Sequence, residues 1–451
     1  MKSNGLHVHN QAWVISVDMG YGHQRAAFPL KYLAYKQQII TCNNYPGIPN
    51  RDRRIWQEGR HFYEFISRFK RLPVVGGAAW QTYDNLQRIP SFYPKRDLSH
   101  LSFQIKKIYQ LIEQENWGKH LIHQLAKNPL PLVTTFFVPA FMAEVFDYPG
   151  DIYCLTTDTD INRAWAPKNP VASRINYFAT NYRVVERLKL YGVRPDHIFL
   201  TGFPLPLENT GDLKLSVLKS DLAKRLVNLD PQKNYLSRYY SVVKKYLGIK
   251  KLPLHSGHPL TLTFAVGGAG AQREIGAEII QSLRHEILTK KIRLILVAGI
   301  HNQVSNFFKA AAVEAGLKKE IGKGLVIIYS NKKDDYFQKF NRFLRTTDIL
   351  WTKPSELSFY VALGLPIIIA PPIGSQEDFN RKWLRTVGAA VSQDDPRYAN
   401  QWIFDWVESG WFAEAAVEGF VEAPKFGTYN IEQIIFHRQK KAKKPKMVLQ
   451  Y

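Results

Sequence analysis

Five stretches of this 451-residue chain place chemistry-bearing side chains where a ligand would meet them. The first is DMGYGHQRAA, residues 18–27, where Gly20 and Gly22 permit a sharp turn and close approach and His23 follows at the mouth of the apolar run AWVISV. The second is AVGGAGAQRE, residues 265–274, whose Gly267, Gly268 and Gly270 close another apolar run. The N–H groups of a helix beginning there suit a diphosphate. Neither loop has Walker A or dinucleotide-fingerprint spacing, and a plain turn fits each equally well. The third stretch, TKPSE, carries Lys353 and Glu356, with Ser355 as a helix cap. The fourth puts Gln376, Glu377 and Asn380 within five residues, just past the run LPIIIA. A carboxylate such as Glu356 or Glu377 suits the paired hydroxyls of a ribose or sugar, and Gln376 and Asn380 suit a hexose. Caps and loop polars are the plainer alternative. The fifth, CLTTDTDINRAW, holds Asp158-Thr159-Asp160. An Asp-x-Asp pair either holds a metal on a nucleotide diphosphate or bonds locally at a strand end, and the local role is favoured.

The elements that must position these groups follow from the apolar pattern. Short β-branched runs (AWVISV, LPLVTTFF, GDIYCLTTD, INYFAT) alternate with helical patterns up to about residue 205. A helix is expected from about Gln24. Alternation restarts with LTLTFAV, IRLILVAG, GLVIIYS, DILWTK and LPIIIAPP, with Gly364 and Pro366 closing the helix before the last of these. Such βαβ alternation predicts two doubly wound parallel sheets, each with a glycine turn after its first strand and its ligand crevice at the strands' carboxyl ends. The expected domains are 1–206, a linker and helical insertion at 207–257, a second domain at 258–398, and a final segment at 399–451.

Composition narrows the partners. Lys and Arg number 61 against 38 Asp and Glu, a net charge of +23. That suits an anionic membrane surface or nucleic acid, but no zinc-finger spacing or RNA-binding aromatic signature accompanies it, and no nucleic-acid partner is expected. The two cysteines, Cys42 and Cys154, make neither a disulfide framework nor a zinc site and predict a reducing cytoplasm. No signal peptide and no bilayer-spanning run is read. Phe62, Phe65, Ile66 and Phe69 fall at i, i+3, i+4 and i+7 on one helix face, amid basic residues and flanked by Trp56 and Trp80. This stripe either enters a membrane interface or packs on its own domain. The tail HRQKKAKKPK, residues 437–446, is a solvated tail or a second contact with anionic lipid.

In this order the segments resemble one family. GYGHQRAA looks like the His-containing glycine loop of monogalactosyldiacylglycerol synthases and processive diacylglycerol glucosyltransferases. LTTDTDINRAW, YFATNYRVVERLKLYGV and IFLTGFPL are similar to its middle segment, and DILWTKPSELSFYVALGLPIII with IGSQEDFN to its sugar-nucleotide site. The peptidoglycan N-acetylglucosaminyltransferase shares the plan. The resemblance spans most of residues 13–205 and 260–390. It implies a GT-B fold, two Rossmann-like domains facing across a cleft, with the final helix crossing back to the first. It implies inverting transfer, without a metal or other cofactor, from a UDP-linked nucleotide sugar to a membrane lipid such as diacylglycerol. The protein would then be peripheral on the inner face of the cell membrane.

On that implication His23 is the general base, a task an imidazole's ordinary pKa of about 6.5 suits, and Asp158 orients it or acts as base itself. Gly267, Gly268 and Gly270 stabilise the departing diphosphate; Lys353, Glu356, Gln376, Glu377 and Asn380 hold the donor. The family's Glu five residues before the Gly of Gly-Leu-Pro is here Phe359, and its glycine pair after TKP is missing, in a segment two residues shorter. Glu356 is the candidate replacement. A non-catalytic lipid or sugar-nucleotide binding protein and a nucleotide-sugar epimerase are the alternatives on the same fold.

Overall fold

A computed structural model describes residues 10–69, 89–265, 270, 272–372 and 375–437, with backbone only for 60–69 and Ser375. Gly267, Gly268, Trp80 and most of the basic tail, for which the sequence raises expectations, lie outside these residues, as do the side chains of Phe62, Phe65, Ile66 and Phe69. Contacts divide the chain into two units. The first runs to Pro204 and takes in Ile373–Phe379 and the segment from Phe426; the second comprises Leu205–Pro372 and Asn380–Lys425.

The first unit is a six-stranded parallel sheet with flanking helices. Its strands are β1 (Trp13–Ser16), β2 (Ile40–Thr41), β3 (Leu132–Thr134), β4 (Ile152–Leu155), β5 (Asn176–Ala179) and β6 (Ile198–Leu200), in the order β2-β1-β3-β4-β5-β6. Every residue of β3, β4 and β5 is buried. Helices therefore cover both sheet faces, which explains continuous apolar runs rather than alternation. The order reverses at β1, with β2 on one side and β3 on the other, so a crevice is expected at the carboxyl ends of β1 and β3.

The second unit repeats the plan. Strands β7 (Thr261–Ala265), β8 (Arg293–Gly299), β9 (Leu325–Tyr329), β10 (Ile349–Thr352), β11 (Ile367–Ile369) and β12 (Ala390–Ser392) lie in the order β12-β11-β10-β7-β8-β9. All pair in parallel, Thr352 beside Ala265 at the shared end of β10 and β7. The reversal here falls between β7 and β10. The α/β class with two doubly wound sheets is thus as the sequence predicts.

Two segments differ from expectation. Residues 207–257, expected as a linker plus helical insertion, form helices Leu207–Thr210, Ser216–Leu229 and Leu236–Leu247 built into the second unit. Arg225, 2% exposed, donates to the carbonyls of Thr347, Leu363 and Gly364 at 2.7, 2.8 and 3.0 Å, and Asp221 takes both arms of Arg345. The final segment also changes unit later than residue 399. Helices Ala399–Glu408 and Trp411–Glu422 stay with the second unit, and Gly427–His437 packs in the first. There Asn430 Nδ2 donates to the Thr201 carbonyl at 2.9 Å and the Tyr32 hydroxyl to Glu432 at 2.9 Å.

Candidate functional site

The residues singled out in the first unit gather at its strand reversal. Gly20, with φ 100°, precedes the helix Tyr21–Ala27. That helix opens before Gln24, so Gly22 and His23 occupy its first turn rather than a loop. The loop after β1 is pinned: Gln24 Nε2 donates to Asp18 Oδ1 at 2.9 Å, and the Asp18 N–H donates to Asn43 Oδ1, just past β2, at 2.9 Å. His23 Nδ1 lies 2.6 Å from the carbonyl oxygen of Thr135, the residue after β3. A carbonyl only accepts, so Nδ1 carries a proton, and in the neutral ring the lone pair is on Nε2. The rings of Phe136 and Trp165 border the imidazole, with centroids 4.9 and 6.2 Å away.

At Nδ1 the ring is held by a backbone carbonyl. Sequence reasoning missed Thr135, which lies 112 residues from His23; its signal was the end of LPLVTTFF on the strand beside β1. Asp158 follows β4. Its carbonyl accepts from the Thr180 hydroxyl at 2.8 Å, and that of Thr159 from Asn181 Nδ2 at 3.0 Å. Asp160 is buried and grips Arg187 with both oxygens, at 2.8 and 2.9 Å. Its carboxylate serves the fold, in keeping with the local reading of this pair.

Trp56 corrects the membrane expectation at one position. It is 6% exposed in the first unit's core, with its ring 4.6 Å from that of Trp117. The helix Asn50–Phe69 starts by burying Asp52 and Trp56, so this indole faces protein rather than lipid. Asp52 Oδ2 accepts from the Gly118 N–H at 3.1 Å, and burial pushes its carboxyl above the usual range.

The other expected residues follow strands of the second sheet. Gly270 has φ 66°, and a Cβ there would come 2.8 Å from Val304 Cγ2, so the loop after β7 needs glycine at this position. Gln272 Nε2 ties that loop to the Pro371 carbonyl beyond β11 at 2.7 Å. Lys353 follows β10 and is partly exposed. Glu356, partly exposed, opens the 3₁₀ helix Glu356–Leu363, whose other seven residues are buried. Ser355 makes no side-chain capping bond to it, contrary to expectation, while Gly364 closes it with φ 65°. Phe359 is 3% exposed, its ring 5.4 Å from that of Trp383. Gln376, partly exposed, and Glu377, buried, sit in the first turn of the helix Ser375–Val387. Asn380 is buried and donates through Nδ2 to the Pro354 carbonyl at 3.2 Å. Asn380 thus braces the turn after β10. Among the described residues no group of three or more His, Cys, Asp or Glu side chains is arranged to hold a metal, and no helix is long and apolar enough to cross a membrane.

Comparison with known proteins gives the following. A family described as a domain of unknown function, DUF6938, matches residues 251–320. The processive diacylglycerol beta-glucosyltransferase of Bacillus subtilis is 21% identical over 238 residues, which is 52% of this chain and 49% of that protein. The chain thus matches about half the length of this curated relative. Among solved structures, a UDP co-structure of S. aureus MnaA has a TM-score of 0.46 at 12% identity, covering 95% of this chain and 96% of that one. Acinetobacter baumannii MurG gives 0.42 at 11%, covering 94% and 99%. A glycosyltransferase from Rickettsia africae gives 0.41 at 13%, covering 95% and 98%.

Proposed function

We propose that this chain is an inverting glycosyltransferase, moving a hexose from a UDP-linked donor to the hydroxyl of a membrane lipid such as diacylglycerol without a metal. The observation that carries the reading is His23 at the first sheet's reversal, oriented through Nδ1 by the Thr135 carbonyl, with Nε2 as the proposed proton acceptor. In this reaction the acceptor oxygen attacks the anomeric carbon and gives its proton to Nε2. The bond from that carbon to the diphosphate oxygen breaks, and the electron pair leaves with the diphosphate. A proton acceptor of this kind is worth about 10²–10⁴-fold in rate. On this reading the Gly270 N–H receives the departing charge. The 21% likeness to a diacylglycerol glucosyltransferase supports both substrates. Asp158 is the alternative base.

One observation favours a second reading, a non-catalytic sugar-nucleotide sensor. Phe359, in the place of the family's ribose-binding carboxylate, belongs to the core. Glu356 answers it in part. In a 3₁₀ helix side chains three apart eclipse, about 6 Å apart along the axis, so Glu356 stands on the same edge one turn nearer the helix start.

A thermal-shift screen of UDP- and GDP-linked sugars, followed by turnover of the stabilising donor on diacylglycerol vesicles, tests both readings. Stabilisation by one donor with glycolipid formed is the expected result. Stabilisation without product would establish the sensor, and no stabilisation by any of them would remove both.

A further inference from the structure

The segment 231–255 answers no need of the transfer chemistry. It carries Lys233, Arg238, Lys244, Lys245, Lys250 and Lys251 and no acid. Its helix, Leu236–Leu247, buries Leu236, Val243 and Leu247 on the inner edge. Tyr239, Val242 and Tyr246, at i, i+3 and i+7, form another edge and are 43%, 47% and 46% exposed. Leu254, just beyond, is 75% exposed. Among the described residues twelve large apolar or aromatic side chains are exposed. Four of them fall in this one short segment, so the exposure is concentrated rather than scattered.

The charges lie beside the stripe. Arg238 and Lys245 are exposed and flank it, as Lys250 and Lys251 do beyond the helix. The Arg238 guanidinium lies 5.7 Å from the Tyr239 ring centroid, and the Lys244 ammonium 4.9 Å from that of Tyr240. Acidic groups that reach this helix, Glu414 and Glu418, act on Tyr235 at its buried start. Tyrosine suits the boundary between headgroups and acyl chains, with its ring in the apolar layer and its hydroxyl wet. Lysine and arginine beside it match anionic phosphates.

We propose that this edge of the helix Leu236–Leu247, with Lys250, Lys251 and Leu254, is a docking surface for an anionic phospholipid bilayer. Tyr239, Val242 and Tyr246 enter the interface, and the basic side chains meet the headgroups. The surface deepens the lipid-acceptor reading and rests on it for its purpose. Its evidence is separate, because none of these residues belongs to the motifs assigned to transfer.

The test uses the full chain and vesicles without any nucleotide sugar, so it succeeds or fails apart from the transfer reaction. Both native cysteines are buried, so Tyr246→Cys takes an environment-sensitive thiol fluorophore at that site. Its emission should shift to the blue on phosphatidylcholine vesicles containing phosphatidylglycerol, and not on phosphatidylcholine alone. The same label at exposed Val313, as Val313→Cys, should not respond. Each lysine near an anionic surface changes partition about fivefold, so Lys245→Gln with Lys250→Gln should lower it about 25-fold. Lys318→Gln with Lys323→Gln, elsewhere on this unit, should change it far less. Failure to bind anionic vesicles, an unshifted label at 246 on bound protein, or a change under twofold in the 245/250 variant would each overturn the proposal. So would a label that responds to single-stranded DNA but not to vesicles.

Discussion

His23 has two separable roles in this structure, and substitutions can take them apart. Its Nδ1–H holds the Thr135 carbonyl at 2.6 Å, linking the turn after β1 to the end of β3. Its Nε2 is the proposed proton acceptor. Asparagine places an amide N–H about where Nδ1 stands and has nothing at Nε2, whereas alanine removes both. His23→Ala should lose one partly buried hydrogen bond, about 1 kcal/mol. For a unit of roughly 200 residues that lowers its melting transition by about 2–4 °C. His23→Asn should keep most of that stability. Turnover should respond differently: both variants should lose about 10²–10⁴-fold, or about 2.7–5.4 kcal/mol at 1.36 kcal/mol per decade. Binding of the donor should survive in both. The assay is initial-rate glycolipid formation alongside calorimetry of each variant. Near-normal turnover in His23→Asn would show that His23 only braces the turn, and Asp158 would become the base to examine.

The remaining predictions concern the groups that support the sites. Asp160→Asn leaves the fully buried Arg187 without its counter-charge and should destabilise the first unit by about 3–5 kcal/mol, read as a lower urea midpoint; a shift under 1 kcal/mol would mean the pair is not structural. Phe359→Ala opens a cavity beside Trp383 and should cost about 3–5 kcal/mol in the second unit's transition; weakened donor binding with unchanged stability would instead place this ring in the binding site. Lys425 is buried and donates to the Phe420 and Ala423 carbonyls, and burial pushes its ammonium down from 10.5 to about 8. Between those values the unfolded chain holds a proton that the folded one lacks, so the second unit should gain stability as pH rises from about 8 to about 10.5. Urea titrations across that window should show the rise, and Lys425→Met should abolish it; an equal rise in the variant would assign it to other groups.

Much of this architecture was legible in the sequence, for a reason that also marks the limit. Parallel strands covered on both faces must be short, apolar and β-branched, and their turns must be glycine-rich where the backbone bends tightly. Runs such as WVIS, IYCL and TLTFA are therefore visible without partners. What they pair with is not visible. Nothing in residues 18–27 names Thr135 as the partner of His23, because that contact comes from the sheet order, which places β3 beside β1. Asn380 and Pro354 meet for the same reason. Trp56 shows a second limit. A helix that packs on its own sheet and one that enters a bilayer share the same 3.6-residue period, and burial in the folded unit decides between them. The lysine-rich stretch 207–257 reads as a linker plus helical insertion because its anchor, Arg225, is a charged residue that packs by donating to four carbonyls.

The sheet order gives the scattered motifs a common logic. A polar residue after any strand of a covered parallel sheet lies at the same end of the sheet, yet only where the order reverses do two neighbouring connections part and leave backbone groups open to a ligand. In the first unit that place is between β1 and β3, where His23 and Thr135 stand. In the second it is between β7 and β10, where Gly270 and Lys353 stand. Asp160, after β4 and away from the reversal, carries the same chemical group as a catalytic carboxylate and is spent on Arg187. Position relative to the reversal therefore separates candidate chemistry from structural polarity in this chain better than residue type does. By that criterion His23 and Lys353 outrank Asp160 and Asn380 as first targets for substitution.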